Sequence, residues 1–198
     1  MRVKEPASVE VNPYSGMVAR LDLRDFRSVA FLDLAQISDD LRGFIRGFAY
    51  KQFVFLVPHR SHFDDGPARV VQSGKVVRID TTDFSPRGVA VLDLAAAARS
   101  QVPDMPDTAL RGFSGGVVSG KYGFFAPYFN GATFSGRVCR INLDRFDEVQ
   151  TLDLAQLDSR LRGFAGAILT REQAPLETDL FGEFEIRPGT TTPYDYVY

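Results

Sequence analysis

The feature that most constrains this chain is a single pattern written nearly three times. The motif R-[LI]-[DN] stands at Arg20-Leu21-Asp22, Arg78-Ile79-Asp80 and Arg140-Ile141-Asn142. Leu-Asp-Leu follows at 32–34, 92–94 and 152–154, and Leu-Arg-Gly-Phe at 41–44, 110–113 and 161–164. An internal repeat of about 60 residues fixes architecture before any residue is read for chemistry, because units sharing a pattern bury a common core against one another.

The repeats make residues 1–169 one repeat domain, with units of approximately 17–73, 74–135 and 136–169 and a short lead strand at 8–14, followed by an extension at 170–198. Each complete unit carries four strand-length runs rich in β-branched and aromatic residues, separated by Asp, Ser and Gly. In the first unit these are Met17–Leu23, Val29–Leu34, Leu41–Phe48 and Phe53–Pro58; in the second, Lys75–Asp80, Val89–Leu94, Leu110–Val118 and Tyr122–Pro127. Residues 42–58 and 111–127 run in step without a gap, and the length differences fall in Ala95–Ala109 and in the loop His59–Ser73, where connectors tolerate them. The third unit stops after Leu169; its missing strand is matched by the alternating Val9 and Val11 of the lead segment, which ends in Pro13-Tyr14 as the fourth strand of unit two ends in Pro127-Tyr128. Leu180–Ile186 reads as a possible additional strand. Helix is expected only as a turn or two at Leu94–Ala98, ahead of Pro103 and Pro106. The expectation is an all-β chain.

The succession G-x-V-x-R-[LI]-D, V-x-x-L-D-L, L-R-G-F-x-G-G and Y-G-[FY]-F-x-P-Y-x-N-G resembles a tandem repeat of β-propeller-like proteins, notably of protists. Unit two carries it most fully, in Leu110–Gly116 and Tyr122–Gly131, while unit one departs from it at Arg46, Phe53 and His59. The resemblance spans roughly residues 8–169. It implies a propeller-like array of about three four-stranded blades, and it implies no particular reaction. A β-trefoil or another three-fold barrel has the same strand count and stays open as an alternative. Propellers close with about 4–8 blades, so three would leave open edges for something else to cover.

Composition narrows the function classes. A net charge of −2 supplies no field for gripping nucleic acid. No stretch approaches the roughly 18–20 apolar residues of a membrane-spanning helix, and the first residues lack a signal-peptide core, which leaves the compartment undetermined. With Cys139 as the single cysteine there is no internal disulfide framework.

Candidate chemistry is sparse. Arg20, Asp22, Arg78, Asp80, Arg140 and Asn142 could line a channel, but their recurrence in every unit favours structural charge pairing between strands, with Asp33, Asp93, Asp153, Arg42, Arg111 and Arg162 as further partners. Asn142 keeps the hydrogen bonding and loses the charge. His59, His62, Asp64 and Asp65 could ligate a divalent metal, yet the loop reads better as a solvated polar segment, and no metal or other cofactor is assigned. Cys139 shares a strand face with Ile141 and reads as core. Tyr128, Phe129, Tyr194, Tyr196 and Tyr198 read as exposed aromatics suited to protein contacts. The expected function is therefore a non-enzymatic scaffold or accessory subunit, with a protein partner or a homo-oligomer. The alternatives are a carbohydrate- or small-ligand-binding module and, behind it, a propeller-type hydrolase.

Overall fold

The computed structural model describes residues 14–64, 69–100, 102–172 and 194–197. Along them the chain forms β1 (Met17–Leu21), β2 (Val29–Asp33), β3 (Gly47–Tyr50), β4 (Phe53–Leu56), β5 (Arg60–Asp64), β6 (Arg69–Gln72), β7 (Lys75–Asp80) and β8 (Val89–Asp93). Helix α1 (Leu94–Ala98) follows, then β9 (Phe113–Ser119), β10 (Tyr122–Pro127), β11 (Arg137–Asn142), β12 (Val149–Asp153), β13 (Leu169–Glu172) and β14 (Tyr194–Val197). Among the described residues the structure is all-β apart from α1 and short 3-10 turns, and α1 falls on the run of four alanines. The strands at 8–14 and 180–186 lie outside the described residues.

Among the described residues, neighbouring strands pair antiparallel in five sheets: two four-stranded meanders, β3-β4-β7-β8 and β9-β10-β11-β12, and three two-stranded sheets, β1-β2, β5-β6 and β13-β14. Each meander therefore begins midway through one sequence unit and ends midway through the next. The strands that carry R-[LI]-[DN] and L-D-L pair in one register throughout: Val18 opposite Leu32, Val76 opposite Leu92, Val138 opposite Leu152.

Because side chains alternate across a strand, each such pair of strands offers two different faces. In β7, Val77 and Ile79 pack with Leu32, Leu34 and Leu41 on the side of β1-β2. Val76, with Phe55 of β4, points the opposite way into a second core holding Phe125, Cys139 and Ile141 of the next meander. The sheet β1-β2 and the two meanders are thus stacked face on face in chain order. Burying one such side chain is worth about 1.5–3 kcal/mol, so the two intersheet cores supply the main driving force.

The Leu-Arg-Gly run, expected to open a strand, lies outside the strands, in irregular backbone that follows or closes a turn. Gly43, Gly112 and Gly163 have φ of 62, 67 and 69°, in the left-handed region. A Cβ on Gly112 would stand 1.9 Å from the Phe129 carbonyl oxygen, so no side chain fits there. These glycines donate N–H to the carbonyls of Ser15, Ser73 and Ser135 at 3.1, 2.9 and 3.0 Å. The following carbonyls, of Gly16, Gly74 and Gly136, accept from Leu34, Leu94 and Leu154 at 3.0, 3.1 and 3.0 Å. The motif residues staple the start of each R-[LI]-[DN] strand to its neighbours. The loop expected at His59–Ser73 also differs: its extra length folds back as the hairpin β5-β6, with Arg60 opposite Gln72.

Candidate interaction surfaces

Of the further candidates, Asp153 does pair across strands, with Arg137, but the arginines and acidic residues of the R-[LI]-[DN] strands do not pair with one another. Each arginine lies over an aromatic ring instead: Arg20 over Phe84 at 4.6 Å, Arg78 over Phe53 at 4.6 Å and Phe146 at 4.7 Å, and Arg140 over Tyr122 at 4.6 Å. A guanidinium stacks well on a ring face and keeps its edge for hydrogen bonds. Arg20 donates to the Thr81 carbonyl at 3.0 Å and Arg140 to Gln150 Oε1 at 2.8 Å.

The acidic partners close the turns after their strands. Asp80 Oδ1 accepts from the Thr82 N–H at 2.8 Å and its hydroxyl at 2.7 Å, and these bonds, the hydroxyl's first, hold the carboxyl below its ordinary pKa. Asp22 accepts from the Arg24 N–H at 2.9 Å, and Asn142 Oδ1 from the Asp144 N–H at 3.1 Å. An Asx oxygen satisfying the next turn's N–H explains why an amide serves as well as a carboxylate. Asp33, Asp93 and Asp153 cap the turns that follow, accepting from Ala35, Ala96 and Ala155 at 3.0, 3.0 and 3.1 Å. Asp153 also pairs with Arg137 at 2.9 Å, and Arg42 with Asp39 at 2.7 Å. Arg162 donates to the Ser159 carbonyl at 3.1 Å.

The remaining candidates scatter. His59 is half-buried with Nδ1 2.8 Å from the Phe113 carbonyl oxygen; burial lowers its pKa, which that bond partly offsets. His62 and Asp64 lie on β5, where the hairpin continues, and Asp65 is outside the described residues. Cys139 is fully buried, and burial pushes its thiol pKa strongly upward, against nucleophilic use. Tyr128 and Phe129 are half-buried rather than exposed, with rings 5.4 and 5.6 Å from that of Phe134, because the turn between them folds back on itself. Tyr194 and Tyr196 sit in β14, opposite Glu172 and Thr170 of β13, while Tyr198 lies outside the described residues.

The surfaces that stand out are the two ends of the stack. At the first, β1-β2 turns Met17, Ala19, Leu21, Val29 and Phe31 outward on one face, all of them exposed. At the other, Phe124, Val138, Arg140, Gln150, Thr151 and Leu152 of the β9–β12 meander line a shallow concavity of ≈ 270 Å³, with Leu152 56% exposed. The equivalent inner positions are closed: Val76 and Phe55 in one meander, Cys139 and Ile141 in the other, are fully buried. Single-residue motif reading missed these faces; the repeat itself contained the signal, since a position buried in one unit and open in another marks an unmatched end. No protein-family model matches the chain, and no curated protein is significantly similar to it.

Proposed function

We propose that this chain is a non-enzymatic scaffold or accessory subunit of a larger protein assembly, built as a propeller-like array of blades whose two end faces bind protein. The observation that carries this reading is the pair of open apolar faces at the ends of a stack whose inner faces are closed by the same residue positions. Large contiguous apolar surfaces rimmed by polar groups mark interaction sites. Successive separate meanders, each packed face to face on the next, favour a blade array over a trefoil, in which hairpins share one barrel. The non-enzymatic part is supported by the settings of the nucleophile and histidine candidates: Cys139 is enclosed in apolar core and His59 is tied to a backbone carbonyl.

The test is the mass of the native particle, measured for the purified chain and in an extract of its source. The scaffold reading expects a particle heavier than the 22.0 kDa of one chain in at least one of them. It also expects Leu152→Glu, placed on an open face, to reduce that mass while leaving the circular dichroism spectrum intact. A one-chain particle in both settings, unaffected by the substitution, would remove the basis for the proposal.

A further inference from the structure

Resting on that scaffold reading, we infer that the partner is a second copy of this chain, joined head to tail, with the open face of the β9–β12 meander seated on the open face of β1-β2. The argument is that the chain already builds this interface twice. In each internal junction, one sheet contributes a Val-x-Arg face and the next contributes the opposite face of its own R-[LI]-[DN] strand. Val18 and Leu32 pack toward Val77 and Ile79 at the first junction, and Val76 packs toward Cys139 and Ile141 at the second.

The arginines mark the direction. Arg20 leaves its own sheet to stack on Phe84 of the next, and Arg78 leaves its sheet to stack on Phe146 of the one after. Arg140, the third in the series, has the ring of Tyr122 within its own sheet, just as Arg78 has Phe53. The Phe that would receive it from a following sheet is Phe26, which stands at the position of Phe84 and Phe146 in the repeat. Phe26 is 72% exposed and has φ of 53°, the same left-handed backbone that Phe146 adopts at 54°. An aromatic residue held in that region is normally secured by packing. Phe146 has that packing, its ring 5.7 Å from that of Phe55. Phe26 shows the same backbone with its ring in the open.

The two ends therefore present the two halves of one established interface. The giving half is Val138, Arg140 and Leu152; the receiving half is Ala19, Leu21 and Phe26. A contact of this kind is heterologous, and it either closes as a ring or propagates. Two chains at about three blades each reach six, within the range of about 4–8 in which propellers close. A closed pair is the expected product.

The experiment uses two full-length variants, Leu21→Glu on the receiving face and Leu152→Glu on the giving face, both at exposed positions. Sedimentation of the wild type should give twice the 22.0 kDa of one chain. Each variant alone should weaken association by about 100-fold or more, because a carboxylate would be buried in an apolar contact at both junctions. Mixing the two should regain a particle of twice the chain mass, since one junction then joins two intact faces. If one variant dissociates the pair and the other leaves it unchanged, the contact is face to same face and the inference is overturned. A monomeric wild type that still binds a different protein, through a surface blocked by Leu152→Glu, overturns the second copy and spares the scaffold reading. A monomer that binds nothing overturns both.

Discussion

The sheet β1-β2 and the last two strands of the second meander, β11-β12, are nearly the same object in two settings. Their registers coincide residue for residue, from Met17 opposite Asp33 and Arg137 opposite Asp153 to Leu21 opposite Val29 and Ile141 opposite Val149. Both carry a Phe at left-handed φ in the connecting turn and an Asp that caps the following 3-10 turn. Yet Ile141 and Val149 are buried while Leu21 and Val29 are exposed. The difference lies in the neighbours: β11 has β10 along one edge and a meander across its face, whereas among the described residues β1 pairs only with β2. Equal local sequence thus gives equal local structure, and unequal stability follows from what covers it.

The sharpest way to break this comparison is at the turn phenylalanines. Phe146→Ala should cost about 3–5 kcal/mol, since it empties a site packed by Phe55 and Arg78. Phe26→Ala, measured by urea unfolding at a concentration where chains are separate, should stay within about 0.5 kcal/mol of wild type. Equal losses would mean that Phe26 packs as Phe146 does. One step smaller, Ile141→Ala should cost about 2–5 kcal/mol by cavity formation, against less than about 1 kcal/mol for Leu21→Ala under the same dilute conditions. If concentration raises the Leu21→Ala cost, the face is covered on association, and the dependence measures by how much.

These residues also show how far the sequence could be read. Strand alternation in Lys75–Asp80 puts Val77 and Ile79 on one face and Val76 on the other, which is how the two cores use them. The helix at Leu94–Ala98 was legible because alanines favour helix and the prolines beyond it end one. The role of Leu-Arg-Gly was not: a strand-like composition hides a left-handed glycine, whose need arises from a carbonyl far along the chain. The arginines were misread for a similar reason. Ion pairing can be guessed from charge alone, whereas stacking on Phe84 or Phe146 depends on which sheet lies opposite. The open faces could not be seen in any one unit, because exposure is a property of the missing neighbour.

A weaker contrast separates the caps. Asp153→Ala should cost about 1–2 kcal/mol, for it removes both the Ala155 cap and the half-buried pair with Arg137. Asp33 caps Ala35 in the same way, and at its partner position Met17 replaces the arginine. Its loss should cost about 1 kcal/mol. Thermal unfolding of the two variants measures the difference, and a larger cost for Asp33→Ala would show that β1-β2 carries more of the fold than its exposure implies.

The smallest effect belongs to the turn between β1 and β2, which is held by Asp25 where the β11–β12 turn has Arg145. Asp25 accepts from the Ser28 hydroxyl and from the N–H groups of Ser28 and Arg27, the latter two at 3.0 and 2.9 Å. Led by the Ser28 hydroxyl, these bonds bring its pKa from 3.8 to about 2. A folded value below the ordinary one means that the carboxylate's contribution is complete above the ordinary aspartate range and is lost as pH falls through the folded value. The backbone amides of Arg27 and Ser28, followed by NMR, should therefore shift with a midpoint near 2, and Asp25→Asn should abolish that transition. A midpoint at the ordinary 3.8 would mean that the turn is open in solution and that Phe26 is not presented at the angle its counterpart Phe146 adopts.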